Sequence, residues 1–219
     1  MCYEANGILL CPDRRSPRSG RNLFRLSWGK TLGQLSYVGA GKKVTLSSTL
    51  DNTPLGVFNG TFVGTSTGSV TSSTFTGDSK SSRKQRVVEL KIAKGRAIET
   101  TITPVDELTE LSDITLVPAG IMDPVRAMGQ LFHAKGCPEA VQMYDGRRVV
   151  TMRSDAGTQT GDTLICAVSY KVTAGPGHLS PLGISSAKMV LIYDVSEGQQ
   201  VLQNLKISSG IFSVSLDRQ

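Results

Sequence analysis

The stretch that decides the fold runs from Ile121 to Arg153 and reads IMDPVRAMGQLFHAKGCPEAVQMYDGRRVVTMR. It contains the one segment of the chain with a clear helical pattern. Its apolar residues recur at the spacing of a single helix face, namely Val125, Met128, Leu131 and Phe132. A helix of about three turns is unstable on its own, so we expect this face to pack against the rest of the chain.

Both ends of this helix carry sequence signals. Asp123 precedes Pro124, which predicts that Asp123 is the N-cap and that Pro124 is the first helical residue, where a missing N–H costs nothing. Gly136 and Pro138 are predicted to end the helix.

A hairpin is predicted directly after the helix. Alternating segments flank Asp145-Gly146, and this dipeptide favours a type I′ turn, in which both central residues have positive φ. Arg147 and Arg148 follow the turn. We expect one of them to hold Asp123, Asp145 or the acidic segment 104–116, which would fix the hairpin against the body. The alternative is that Asp145, Gly146, Arg147 and Arg148 form an anion-binding turn.

The remainder of the chain is typical of β-structure. The sequence is 39% hydrophobic but only 5% aromatic, which predicts an aliphatic core. Short alternating segments recur at regular intervals and are separated by turn residues such as Lys94-Gly95. A sheet of this many strands usually curls. We therefore predict a mainly β fold, with a curved antiparallel sheet that closes or half-closes into a barrel and one short helix.

Two regions are predicted along the chain. Residues 1–22 carry several arginines among Ser, Pro and Gly, so we expect a basic, poorly ordered N-terminal segment. Residues 23–219 are predicted to form a single β-rich domain.

The net charge is +6 and the isoelectric point is near 9.3. Such a charge is compatible with anionic partners, but a soluble protein with a small surplus of lysines and arginines is the preferred interpretation. No aromatic-rich basic stripe accompanies this charge, so we expect no nucleic-acid partner. No apolar run reaches the length of a membrane span, and a membrane-spanning protein is not expected.

Parts of the sequence resemble a family of exported bacterial proteins known as domain of unknown function 3108. The resemblance is carried by MDPVRAMGQLF (122–132), MYDGRRVVTM (143–152) and ICAVSYKVTAGPGHLSP (165–181). FRLSWGKTLGQLSY (24–37) and SSRKQRVVELKIAKGRA (81–97) are similar more loosely to the opening and middle hairpins of that family. The most specific part is the Asp145–Arg148 turn with its flanking Cys137 and Cys166.

This resemblance implies a periplasmic location in the Gram-negative envelope and an exported leader. The apolar run Gly7–Leu10 is too short for the core of a signal peptide, so a cytoplasmic location is the alternative. The family has no established activity, and the resemblance therefore assigns no catalytic residues.

The chain has four cysteines and no C-x-x-C motif. Cys137 and Cys166 are the best candidate pair. In an oxidising compartment they would close a loop of about 30 residues and stabilise the fold by roughly 3–4 kcal/mol. The alternative is two buried free thiols. Cys2 and Cys11 are a second candidate pair.

Other chemistry has weak support in the sequence. His133 and Cys137 lie four residues apart, the kind of spacing seen in metal sites, but a disulfide at Cys137 would exclude such a site. His178 lies in a Gly-Pro loop, and we expect an exposed turn residue. We find no motif for a hydrolase, a zinc protease or a nucleotide site. We predict no metal, no cofactor and no catalytic residues.

The function predicted from the sequence is that of a non-catalytic envelope protein. It would support envelope integrity by binding a protein or lipid partner. A lipid or lipoprotein carrier with an apolar groove is the first alternative, and a hydrolase is a further one. The sequence leaves the oligomeric state open.

Overall fold

The computed structural model describes residues 3–5, 8–10, 21–53, 59–81, 84–178 and 183–219. These residues form sixteen β-strands, one α-helix and four short 3₁₀ turns. The strands before the helix are β1 Tyr3–Ala5, β2 Ile8–Leu10, β3 Arg21–Ser27, β4 Thr31–Ala40, β5 Lys43–Leu50, β6 Gly60–Gly68, β7 Ser73–Ser81, β8 Gln85–Ala93 and β9 Arg96–Thr103. The helix α1 is Pro124–Phe132. The strands after it are β10 Val141–Tyr144, β11 Val149–Ser154, β12 Thr158–Thr160, β13 Thr163–Ala174, β14 Ser186–Asp194, β15 Val201–Ser209 and β16 Phe212–Arg218. The 3₁₀ turns are Val105–Glu107, Glu110–Ser112, Ile114–Leu116 and Ser196–Gly198.

Two antiparallel meanders make up the main sheet. Strands β3–β9 form the first, and strands β10–β16 form the second, in which the short β12 pairs with β13 alongside β11. The last strand, β16, pairs with β3, with Ser215 opposite Ser27 and Arg218 opposite Phe24. The edge strands β9 and β10 are therefore consecutive in the chain and are connected by residues 104–140. Strands β1 and β2 form a separate hairpin.

Alternation of apolar and polar residues explains why these segments are strands. In β13, Leu164, Cys166 and Val168 are buried, whereas Ile165 between them is 43% exposed. This period of two places one side of each strand in the core and the other in water. The β-rich prediction is confirmed for the described residues.

The sheet curves around α1. The helix contacts β5, β6, β10 and β15, which are far apart in the strand order, and only a curved sheet can bring them together. Most of the helix surface is buried, and Phe132 stacks on Phe24 and meets Tyr37 edge-on. The predicted docking of the helix is confirmed, although its buried surface extends well beyond the one predicted face.

The helix begins as predicted and ends early. Oδ1 of Asp123 accepts hydrogen bonds from the backbone N–H groups of Val125 and Arg126, at 2.9 and 3.0 Å. The helix ends at Phe132, before Gly136, so the predicted end is wrong. The Leu131 carbonyl, in the last turn, accepts a hydrogen bond from the Tyr193 hydroxyl at 2.7 Å in place of a helical N–H group. Gly136 instead pairs with the Gln200 side chain through its backbone N–H and C=O.

The sheet does not close by strand pairing. Within the described ranges, β9 and β10 share no backbone ladder. Residues 104–122 cover this seam: Gly120 and Ile121 donate their N–H groups to the Gly95 carbonyl, and Met122 forms a parallel bridge with Met143. The fold is therefore the half-closed form of the prediction.

The two glycine hairpins differ in their turns. At Lys94-Gly95 both residues have positive φ, +50° and +71°, as a type I′ turn requires. At the β10–β11 hairpin Tyr144 pairs with Val149, which leaves the four-residue loop Asp145–Arg148. Only Gly146 of that loop has positive φ. The hairpin is confirmed, but the predicted type I′ turn at Asp145-Gly146 is wrong.

Most of the basic N-terminal segment, including Cys2 and Cys11, lies outside the described residues. The structure describes β1 and β2 within that segment, and β3 begins at Arg21. In the part of the chain that the structure covers, no helix is long and apolar enough to cross a bilayer.

Candidate functional site at the Asp145–Arg148 turn

The loop that joins β10 to β11 is held by its own aspartate. Oδ1 of Asp145 accepts hydrogen bonds from the backbone N–H groups of Arg147 and Arg148, at 3.0 and 2.9 Å. This local arrangement is a common use of Asp in turns. Gly146 has φ +89°, and a Cβ there would lie 2.8 Å from Cγ1 of Val88. A glycine is therefore required both by the backbone and by the close approach of β8.

The segment that covers the seam also holds this turn. The Thr109 hydroxyl donates to the Arg147 carbonyl at 2.9 Å, and the Ser112 hydroxyl donates to the Gly146 carbonyl at 3.1 Å. These hydrogen bonds satisfy two backbone carbonyls of the turn, which would otherwise depend on water for a donor.

Arg147 belongs to a cluster of cations around one carboxylate. Glu107 lies 2.8 Å from Lys84, 2.9 Å from Arg86 and 3.1 Å from Arg147. The hydrogen bond from Lys84 contributes most to lowering the pKa of the Glu107 carboxyl, and Arg86 and Arg147 act in the same direction against the effect of burial. The expected pairing of one arginine with the acidic segment is confirmed.

Arg148 is more deeply buried and less well paired. Its Nε lies 3.1 Å from Oδ2 of Asp145, an ion pair without hydrogen-bond geometry. Among the described residues, no acceptor lies within hydrogen-bonding geometry of Arg148 Nε or Nη1, or of Arg147 Nε, and all three atoms are buried. Unpaired buried donors are costly and uncommon in folded proteins.

Tyr170 and His178 complete this side of the cluster. Their Oη and Nε2 atoms are 2.6 Å apart. Burial, and then the charge of Arg148, lower the pKa of His178 to about 4, while burial raises the pKa of Tyr170. The neutral imidazole and the phenol therefore share one hydrogen bond, whose donor depends on the histidine tautomer. The expectation of an exposed His178 is wrong: it is half-buried, because it bridges to Ile184 and its ring lies against Tyr170.

A cavity of about 150 Å³ adjoins the turn. Most of its lining is apolar, from Phe62, Phe75, Val88, Pro124 and Met143. Its polar lining includes Ser79, Arg86, Asp145 and Arg147. The cavity thus lies on the seam between the two meanders and is lined by both guanidinium groups and aromatic rings.

Cys137 and Cys166 form a disulfide, with their Cα atoms 5.5 Å apart. It joins the loop after α1 to β13. Because the Cys137 sulfur is bonded, the alternative metal site with His133 is excluded, as is the alternative of two free thiols. No group of three or more His, Cys, Asp or Glu side chains is placed to hold a metal ion in the described part of the chain.

A second buried polar cluster was missed from the sequence. Arg126 donates to the carbonyls of Gly41, Lys42 and Gly68 at 2.7–2.9 Å, and to the Ser66 hydroxyl at 3.0 Å. Ser66 and Ser73 donate in turn to Oδ2 of Asp123, at 2.8 and 2.6 Å. The helix N-terminus is thereby bonded to β6 and β7. No local pattern marks Arg126, because its partners are far away in the sequence.

In comparisons with known proteins, no family model, curated protein or solved structure matches this chain.

Proposed function

We propose that this protein is a non-catalytic binding protein of the bacterial cell envelope, located in the periplasm, and that it supports envelope integrity by holding an anionic lipid at the Asp145–Arg148 turn. The resemblance to domain of unknown function 3108 supports the location, as does a disulfide of the kind that persists in oxidising compartments.

The observation that carries the binding proposal is the excess of cations at the turn. Four cationic side chains, Lys84, Arg86, Arg147 and Arg148, surround two carboxylates, those of Glu107 and Asp145. Among the residues that the structure describes, buried guanidinium N–H groups of Arg147 and Arg148 still have no acceptor. Oxyanions match the fork of donors on arginine, so a phosphate or carboxylate group is the complementary partner.

A lipid fits better than an acidic protein because of the neighbouring cavity. Its apolar lining next to Arg86 and Arg147 suits a molecule with an anionic head and an apolar part. The carrier alternative requires a long open groove. In the described residues α1 occupies the concave side of the sheet, and its buried face leaves room for only a small apolar group.

Vesicle binding tests this proposal. We expect the full chain to co-sediment with phosphatidylglycerol vesicles, less so at high salt, and not with phosphatidylcholine vesicles. Arg148→Met is expected to weaken binding several-fold. Arg153→Met is the matched control, since Arg153 is exposed on the adjoining strand β11.

Equal binding to both kinds of vesicle, or unchanged binding by Arg148→Met, would contradict the proposal. Binding of polyglutamate that depends on Arg148, without binding of vesicles, would replace the lipid with an acidic protein partner.

A further inference from the structure

We infer that the cavity at the seam is a site for a small amphiphilic carboxylate, with its head against Arg147 and an apolar chain of about six carbons inside. This inference rests on the proposed anion binding and adds the chemical class and size of the ligand that this site accepts.

Two glycines leave space for the aromatic rings that line the cavity. Gly64 of β6 and Gly77 of β7 are opposite each other in the sheet. A Cβ at Gly77 would lie 2.6 Å from the Phe75 ring, and a Cβ at Gly64 would lie 2.8 Å from the Phe62 ring. The two rings therefore lie over bare backbone, and a larger residue at either glycine would push them into the space above.

The size and lining of the cavity select an apolar group. A cavity of about 150 Å³ with apolar walls accepts a molecule the size of benzene. Phe75, Val88 and Met143 are buried, and with Phe62 and Pro124 they form walls that offer no hydrogen bonds from their side chains. Water alone would be poorly satisfied against these walls.

The polar side of the cavity selects an acid. Arg147 lines the cavity, and its buried Nε has no acceptor among the described residues. Its Nη1 is already paired with Glu107. Asp145 also lines the cavity, but its Oδ1 is taken by two backbone N–H groups and its Oδ2 faces Arg148. A carboxylate that enters the cavity would thus lie beside guanidinium groups of Arg86 and Arg147, which share the single carboxylate of Glu107 with Lys84.

The test is a calorimetric titration of the full chain with straight-chain carboxylates from acetate to decanoate. We expect affinity to rise about fourfold for each added methylene and to stop rising near hexanoate, where the cavity is full. Hexan-1-ol is expected to bind at least tenfold more weakly than hexanoate. A flat series, or equal binding of hexanol, would overturn the inference.

Variants locate the site. Ser79 lines the cavity from the inner face of β7, so Ser79→Leu fills it and is expected to weaken hexanoate binding at least tenfold. Thr76→Leu, on the exposed face of the same strand, is the matched control and should bind as the parent does. Arg147→Gln is expected to lose hexanoate binding. Hexanoate binding that is unchanged in Ser79→Leu would overturn the inference.

The chain-length series on the parent protein needs no variant, so the inference can be tested even if a variant does not fold. Vesicle binding that depends on Arg148, without any binding of hexanoate, would reject the cavity site and leave the proposed function intact. Loss of both would reject the two together.

Discussion

Arg126 and Arg148 are both buried, with 7% and 4% of their surface exposed, yet their guanidinium groups have different surroundings. Arg126 donates to three backbone carbonyls and a serine hydroxyl, so each of its nitrogens has a partner. Within the described part of the chain, Arg148 has one carboxylate beside it and two nitrogens without a hydrogen-bond acceptor. A satisfied buried charge stabilises a structure once it is formed, whereas an unsatisfied one lowers stability.

The largest expected effect comes from breaking the satisfied site. Arg126→Met should lower the free energy of unfolding by about 3–5 kcal/mol, because it leaves buried carbonyls unpaired and Asp123 without a nearby positive charge. Urea unfolding measures this loss. Gln130→Met, at an exposed position of the same helix, is the control. A loss no larger than that of the control would mean that the hydrogen bonds of Arg126 do not stabilise the fold.

Removal of the disulfide separates stability from binding. The double variant Cys137→Ser/Cys166→Ser should lose roughly 3–4 kcal/mol in the chain-entropy model. Neither arginine cluster includes these cysteines, so vesicle binding should persist at a temperature where the variant is folded. Thermal unfolding and co-sedimentation check the two halves of this prediction. Lost binding by a folded variant would show that the turn depends on the cross-link.

Low pH should lower the stability of the fold through His178, which lies near Arg148. The pKa of His178 is lowered from 6.5 to about 4 in the folded protein. Between these two values the unfolded chain binds more protons, so stability falls as the pH drops from about 6.5 to 4. We expect His178 to account for about 3 kcal/mol of that loss.

Comparison with His178→Phe isolates this contribution. The pKa of His133 is also lowered, by burial and then by Arg218, and its acid loss remains in both proteins. Denaturant unfolding at pH 7 and pH 4 should therefore show a smaller loss in His178→Phe. Equal losses would place the titration elsewhere.

The smallest effect is expected at the unsatisfied site itself. Arg148→Met should change the free energy of unfolding by less than about 1 kcal/mol, and in the stabilising direction if the two free nitrogens dominate. Urea unfolding beside Arg126→Met gives the comparison. A loss as large as that of Arg126→Met would show that Arg148 is a structural residue and would remove the main support for a binding turn.

Local signals made much of this fold predictable. Asp123 caps the helix and Pro124 is its first residue, so both signals lie where the helix starts. The alternation in strands such as β13 depends only on near neighbours. The disulfide between Cys137 and Cys166 was predictable because both residues flank the hairpin. The turn at Lys94-Gly95 also followed its local sequence.

What the sequence did not reveal depends on distant contacts. From the helical pattern, Arg126 is expected on the polar face of the helix. It is buried instead, because its guanidinium group binds carbonyls 58 to 85 residues away. At Asp145-Gly146, contacts with Val88 and Ser112 accompany a wider loop than the dipeptide predicts. His178 is half-buried because its imidazole lies against Tyr170, which the Gly-Pro composition does not indicate.

The pairing of β16 with β3 has a consequence for synthesis on the ribosome. Ser27 and Asp217, which share a hydrogen bond there, are 190 residues apart. At ordinary rates of translation, β3 would wait roughly 10–40 s before its partner strand emerges. During that time one edge of β3 has no neighbour, and charged side chains such as those of Arg21 and Arg25 on exposed positions would discourage premature association with other nascent chains.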